Sequence, residues 1–357
     1  MHSPGLILPN RAFMSDNMAG SSPEVTKAIL VAATGHSPPY GNDDFTKRAH
    51  QKLQNIFERD VDIFPVSTGT AANCLGLAAL LPPWGSILCH QDSHINNDEC
   101  GAPEALTGGA KLVVVQGKGN KIDPEALKVA VQHKRGDVHS VQPAVLSISQ
   151  ATESGSVYTV DEIRELSQIA KAAGMRVHMD GARFANALDH LNVTPAEMTW
   201  KAGVDVLSFG LTKNGAMTVD AIVSFDPQIA SEIAFRRKRA GHLASKMRFH
   251  TAQIDALLTD GLWLRNARQA NEMAARLGAG LASIPGPQLD AKPEANILFC
   301  HLSQKVTEGL LAEGYKFYHD RWGPGVVRFV TSFSHNASDI DELLEAIRRH
   351  YERTSTI

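Results

Sequence analysis

Cysteine is scarce in this sequence: there are four among 357 residues, Cys74, Cys89, Cys100 and Cys300. They form no CxxC pair and no even framework. That argues against a disulfide scaffold and suits a reduced, cytoplasmic compartment in which thiols serve as small buried hydrophobes. A large excess of either charge is missing too. Lys and Arg number 35 against 38 Asp and Glu, a net −3, so nothing draws the chain to nucleic acid or to an acidic membrane. No apolar run reaches spanning length. The start, "MHSPGLILPNRAFMSDN", has no basic stretch leading into a long apolar one, and prolines interrupt it, so it reads as neither an anchor nor a signal peptide. Internal repeats and low-complexity segments are absent. What remains, 43% hydrophobic and 20% charged residues, is the composition of a soluble globular protein.

The length favours one large and one smaller domain. In the middle of the chain, short apolar runs alternate with helical patterns, which predicts an α/β fold with a mostly parallel sheet. The strands read as 86–90, 111–116, 144–149, 175–180, 204–210 and 221–226. "TVDEIRELSQIAKAAG" predicts a helix with Thr159 as its N-cap and Gly174 as its left-handed stop. "DPEALKVAVQHK" predicts another. Past residue 250 comes one long helical pattern, broken at most at Gly261. It is followed by strand "ANILFCHL", helix "KVTEGLLAEG", strands "KFYHD" and "VVRFVTSF", and a last helix with capping-box spacing from Ser338 to Asp341. The expected division is a large domain over 1–250, including a short N-terminal segment, and a small C-terminal α/β domain over 251–357.

Open parallel sheets collect ligands at the carboxyl ends of their strands. Polar residues predicted there are His94, Gln150, Glu153, Asp180, Arg183 and Lys213. "STGTAAN" adds a helix start at Gly69 and Thr70, whose amides and hydroxyls can cradle a phosphate. Together these point to pyridoxal 5'-phosphate. The cofactor needs a lysine amine for attachment (Lys213), an acid against the pyridine nitrogen (Asp180), a phosphate site, and a ring to stack on it (His94). An amino-acid substrate then needs an arginine fork for its carboxylate, with Arg183 and Arg328 as candidates. Taken singly, each has a plainer reading: a strand-end turn for Asp180, a solvated lysine for Lys213, a structural histidine for His94. His90 and His94, four apart, could begin a metal site, but no third ligand follows at suitable spacing, and no metal is expected.

"HMDGARFANAL" followed by "GVDVLSFGLTKNG", with "STGTAAN" and "SHINNDECGA" upstream, closely resembles low-specificity L-threonine aldolases. These belong to the β-eliminating lyase branch of the fold-type I pyridoxal-phosphate enzymes. The likeness runs from "SDNMAGSSPEV" to "VVRFVTSF". It implies that Lys213 carries the cofactor, Asp180 meets the pyridine nitrogen, Gly69 and Thr70 bind phosphate, and His94 stacks on the ring. It implies further that Ser15, Arg183 and Arg328 hold the substrate carboxylate, and that His139 and Glu99 lie near the β-hydroxyl. Gln150 and Glu153 would line the cofactor, and Gly181 would let the chain pass close to it. The implied assembly is a homotetramer of dimers with shared sites, in which Tyr40 and the basic run 236–248 approach a neighbour's site. The implied reaction is retro-aldol cleavage of a β-hydroxy-α-amino acid to glycine and an aldehyde. The base is either His94 or a water held by His94 and His139. Two alternatives stay open: another pyridoxal-phosphate reaction such as β-elimination, and an inactive cofactor-binding or scaffold protein.

Overall fold

A computed structural model describes residues 10–355, so the first nine residues of the N-terminal stretch read above lie outside it. The chain forms two compact units. One is Ser21–Leu264, and the other joins the N-terminal segment to Arg265–Ile357.

The larger unit is built on strands β1 (Asp62–Val66), β2 (Gly85–His90), β3 (Lys111–Val115), β4 (Gln142–Ser149), β5 (Arg176–Gly181), β6 (Val206–Phe209) and β7 (Asp220–Ser224). Their order across the sheet is β1-β7-β6-β5-β4-β2-β3. Neighbours from β3 to β6 pair in parallel, and β7 runs antiparallel to both β6 and β1. The fold is the expected α/β architecture. β2, β6 and β7 are buried along their whole length, which is why they read as near-continuous apolar runs. β1 escaped the sequence reading because Pro65 interrupts it. Proline cannot donate to a ladder, and β1 sits at the sheet edge, where that is tolerated.

The helix Val160–Ala172 carries the expected cap. Thr159 and Glu162 form a reciprocal capping box, and Gly174 follows at φ 70°. The long pattern past 250 splits into Arg248–Leu258 and Leu262–Ala282, separated at Asp260, whose φ is 50°.

The smaller unit holds a second, antiparallel sheet, β10-β11-β9-β8, from β8 (Gln288–Leu289), β9 (Ile297–His301), β10 (Tyr318–His319) and β11 (Val326–Val330). The N-terminal segment belongs here and not with the larger unit. Phe13 is fully buried in this unit's core, its N–H donates to the Lys316 carbonyl at 2.8 Å, and its carbonyl accepts from Val330 N at 2.9 Å. A single buried aromatic therefore moves the expected domain boundary. The last helix, Ala337–Ser355, also starts earlier than Ser338 suggested. Asn336 Oδ1 accepts from the N–H groups of Ser338 and Asp339, and Asn336 N donates back to Asp339 Oδ2.

Candidate active site

The carboxyl end of β5 delivers Asp180 between Ser149 of β4 and Ser208 of β6. It is 6% exposed, so it is no solvated turn, and a carboxylate so placed requires donors. Ala182 N donates to its Oδ1 at 3.0 Å, and Asn73 Nδ2 donates to its Oδ2 at 2.8 Å. Gly181 is required where β5 crosses β6. A Cβ there would lie 2.6 Å from Leu207 Cδ1 and 2.7 Å from the Ser208 carbonyl. Its close approach within the chain is to the neighbouring strand.

Asn73 stands on the helix Gly69–Ala78. Its amide also donates to Glu99 Oε1 at 2.8 Å, and the same oxygen lies 2.8 Å from His94 Nδ1. Glu99 is buried while the His94 ring is partly open, and the bond to Glu99 raises the imidazole pKa above its ordinary value. His94, Glu99, Asn73 and Asp180 thus form one hydrogen-bonded chain. Ligand atoms of His94, Glu99 and Asp180 lie within 4.8 Å of one another, a triad that the spacing of His90 and His94 did not foretell. The oxygens concerned already accept N–H donors.

Lys213 lies on the short turn Thr212–Asn214 after β6. Asp220, buried at the start of β7, accepts from Leu211 N at 2.7 Å, Thr212 N at 3.1 Å and Thr212 Oγ1 at 3.2 Å. On the other side, Asn214 Nδ2 donates to the Trp263 carbonyl at 2.8 Å. The charges of both Lys213 and Asp180 act on the His94 ring, so lysine, acid and imidazole share one locality. Asp220 was not foreseen, and its only sequence signal is an acid opening the apolar run "DAIVSF".

The phosphate cradle passes a test of fit. Thr68 caps the helix Gly69–Ala78 by accepting from Ala71 N, which leaves the positive end of the helix dipole toward an anion. Just before it, Ser67 N donates to His242 Nδ1 at 3.4 Å, and Ser67 Oγ lies 3.3 Å from His250 Nε2. Arg237 donates to the Pro65 carbonyl beside them. Burial lowers the pKa of Arg237 to about 10, and it lowers the two imidazoles as well. Arg237 Nε and His250 Nδ1 are buried without a hydrogen-bond partner. A cluster of bases at a helix start, short of acceptors, suits a phosphate dianion. Within the basic run 236–248, Arg237 and His242 contact the residues leading into this helix.

The other expected site residues divide. Glu153 Oε1 accepts from His94 N and from Ser149 Oγ, each at 2.8 Å. Gln150 is a correction: fully buried, it spends its amide on the Tyr158 carbonyl at 2.8 Å and its oxygen on Tyr158 N at 3.0 Å. It braces the loop through both ends of its amide. His139 is a second correction. It is exposed on a turn before the amino end of β4, roughly 20 Å by strand rise from the carboxyl end that carries the other residues. Arg183 is the half-buried residue that opens the helix Phe184–Leu191. Tyr40 is half exposed, with Lys238 over its ring. In the smaller unit, Ser15 caps the short turn Asp16–Met18. The Arg328 guanidinium lies 4.8 Å from the Tyr318 ring centre and 5.0 Å from that of Trp322, and it donates to the Met14 carbonyl.

Burial, with help from Asp180, raises the Glu153 carboxyl from 4.5 to about 7. Between those values the folded chain binds more protons than the unfolded chain, so stability falls as pH rises across that window. Glu153→Gln removes this term. Its stability relative to the wild type is expected to climb by ~3 kcal/mol over the window and stay level above it, as read from urea midpoints. A difference independent of pH would contradict the buried titration.

Residues 12–305 match the family described as beta-eliminating lyase. A low specificity L-threonine aldolase of a Pseudomonas species is 43% identical over 339 residues, covering 95% of this chain and 97% of that protein. The solved threonine aldolase of Leishmania major superimposes with a TM-score of 0.88 at 27% identity, covering 95% of this chain and 98% of that one. Serine palmitoyltransferase of Sphingomonas wittichii, at 16% identity and a TM-score of 0.73, shares the fold.

Proposed function

The chain belongs to the beta-eliminating lyase family, and on that premise we propose that it is a low-specificity L-threonine aldolase. It cleaves L-threonine, L-allo-threonine and related β-hydroxy-α-amino acids to glycine and an aldehyde, acetaldehyde in the case of threonine. The reading is carried by one observation: a buried acid at the end of β5 is joined through Asn73 and Glu99 to a partly open imidazole, and the turn after the neighbouring strand β6 carries a lysine.

Bound pyridoxal phosphate supplies an electron sink for the charge left on the glycine carbon when Cα–Cβ breaks. The residues do the rest. Lys213 would offer the amine that holds the cofactor. Asp180 holds the proton on the pyridine nitrogen. Gly69, Thr70 and the amides of their helix bind the phosphate, Arg237 balances its charge, and His242 and His250 line the cradle as neutral rings. His94 stacks on the ring, oriented through Nδ1 by Glu99, and its other nitrogen is directed to the substrate's β-hydroxyl, alone or through a water. His139 takes no part in that step within the chain. Arg183 binds the substrate carboxylate, and Ser15 and Arg328 carry the same role. Glu153 holds the backbone of His94 in place.

The enzyme works as a homotetramer in the cytoplasm. Exposed apolar side chains such as Leu30, Val31 and Phe235 support the assembly. Four unbridged cysteines support the compartment, and among the described residues no helix is long and apolar enough to cross a membrane. The purified protein is expected to release acetaldehyde and glycine in equal amounts from L-threonine. Ammonia and a keto acid in their place would favour β-elimination, the second reading that the family permits.

A further inference from the structure

We propose that Asn73 is a positioning residue for this reaction. Its amide fixes the Asp180 and Glu99 carboxylates in one arrangement, so that the ring-nitrogen acid and the stacking histidine act as a unit. The proposal rests on the pyridoxal-phosphate reading above.

The side chain has two hydrogens to give, and each goes to a carboxylate at 2.8 Å. Its oxygen is buried with no hydrogen-bond partner. The amide orientation follows from chemistry: turned over, the oxygen would face two acids and the hydrogens would face none. A side chain kept for packing alone would not leave a buried acceptor unsatisfied, because that carries a desolvation cost. The bridge also explains how two carboxylates coexist in a dry pocket. His94 Nδ1 and Asn73 approach Glu99 Oε1 from two sides, and the Cys74 thiol, held protonated by burial, donates to Glu99 Oε2 at 3.5 Å. Asp180 receives Asn73 and the Ala182 N–H. The charged groups around the bridge include Lys213 from the turn after β6, Glu153 from the segment after β4, and Glu104, whose charge reaches the Cys74 thiol.

Position along the helix adds a second argument. Asn73 is four residues past Gly69, so it stands about 6 Å further along the axis on nearly the same face. The helix whose start would hold the phosphate thus carries, one turn on, the group that sets the acid for the ring nitrogen.

The test uses the holoenzyme of Asn73→Ala and Asn73→Ser, with the pH titration of the cofactor's visible band as readout. Cofactor affinity and L-threonine kinetics are measured beside it. Losing both donors is expected to weaken cofactor affinity about tenfold and to move the band's midpoint by about one pH unit, the size of one lost charge-assisted hydrogen bond. The kcat should fall more than KM rises. Asn73→Ser, with one donor, should fall between. If Asn73→Ala keeps the wild-type midpoint and cofactor affinity, even with a lower melting temperature, Asn73 is a packing residue and the proposal fails. Should the alanine variant not fold, a wild-type midpoint in Asn73→Ser overturns it equally. A wild type without any cofactor band overturns the underlying reading instead.

Discussion

Lys213→Ala is expected to release no acetaldehyde from L-threonine and to gain no cofactor mass on borohydride reduction, whereas the wild type gains it. The amine is the group to which the cofactor aldehyde bonds, and a methyl cannot replace it. The variant should fold because other contacts hold the turn. Asp220 binds the amides on one side of it, and Asn214 ties the other side to Trp263. Intact-protein mass spectrometry and circular dichroism settle both halves. A variant that still fixes the cofactor would move the attachment point elsewhere and remove the basis of the proposed mechanism.

Asp180→Asn should follow with a loss of ~100–1,000-fold in kcat, the usual cost of removing one preorganised electrostatic contact. The new amide matches the old side chain in shape and can still accept from Ala182 N. It cannot hold a proton on the pyridine nitrogen as a carboxylate does. With its nitrogen turned toward Asn73, two N–H donors would face each other where a hydrogen bond of 2.8 Å now lies. Cofactor binding should weaken less than turnover, since the phosphate cradle is untouched. Near wild-type turnover would show that the ring nitrogen is served by another group.

Much of this was legible in the residues, for identifiable reasons. β4 and β5 show themselves because buried strands read as apolar runs, and Asp180 stands out because an acid ending such a run lacks a packing purpose. Lys213 follows from the same logic. Asn73 and Asp220 did not stand out. Their contacts cross from one element to another, 107 residues apart for Asn73 and Asp180, and no local pattern encodes a hydrogen bond across that gap. His139 and Gln150 failed in the opposite way. A short string matched, but His139 precedes β4 instead of following it, and the amide of Gln150 points back at Tyr158. Phe13 fell within the segment assigned to the larger domain because burial by a partner 316 residues on (Phe329) leaves no local periodicity.

The helix Gly69–Ala78 acts as a ruler of fixed length. One inserted or deleted residue between Thr70 and Asn73 would turn the later side chain by about 100° and shift it by about 1.5 Å, so the phosphate end and the ring end could not both stay in register. Variation in substrate range has to arise elsewhere. The residues just after His94, 95–98, where Asn96 and Asn97 both donate to the Gln91 carbonyl, can change their side chains without altering that length.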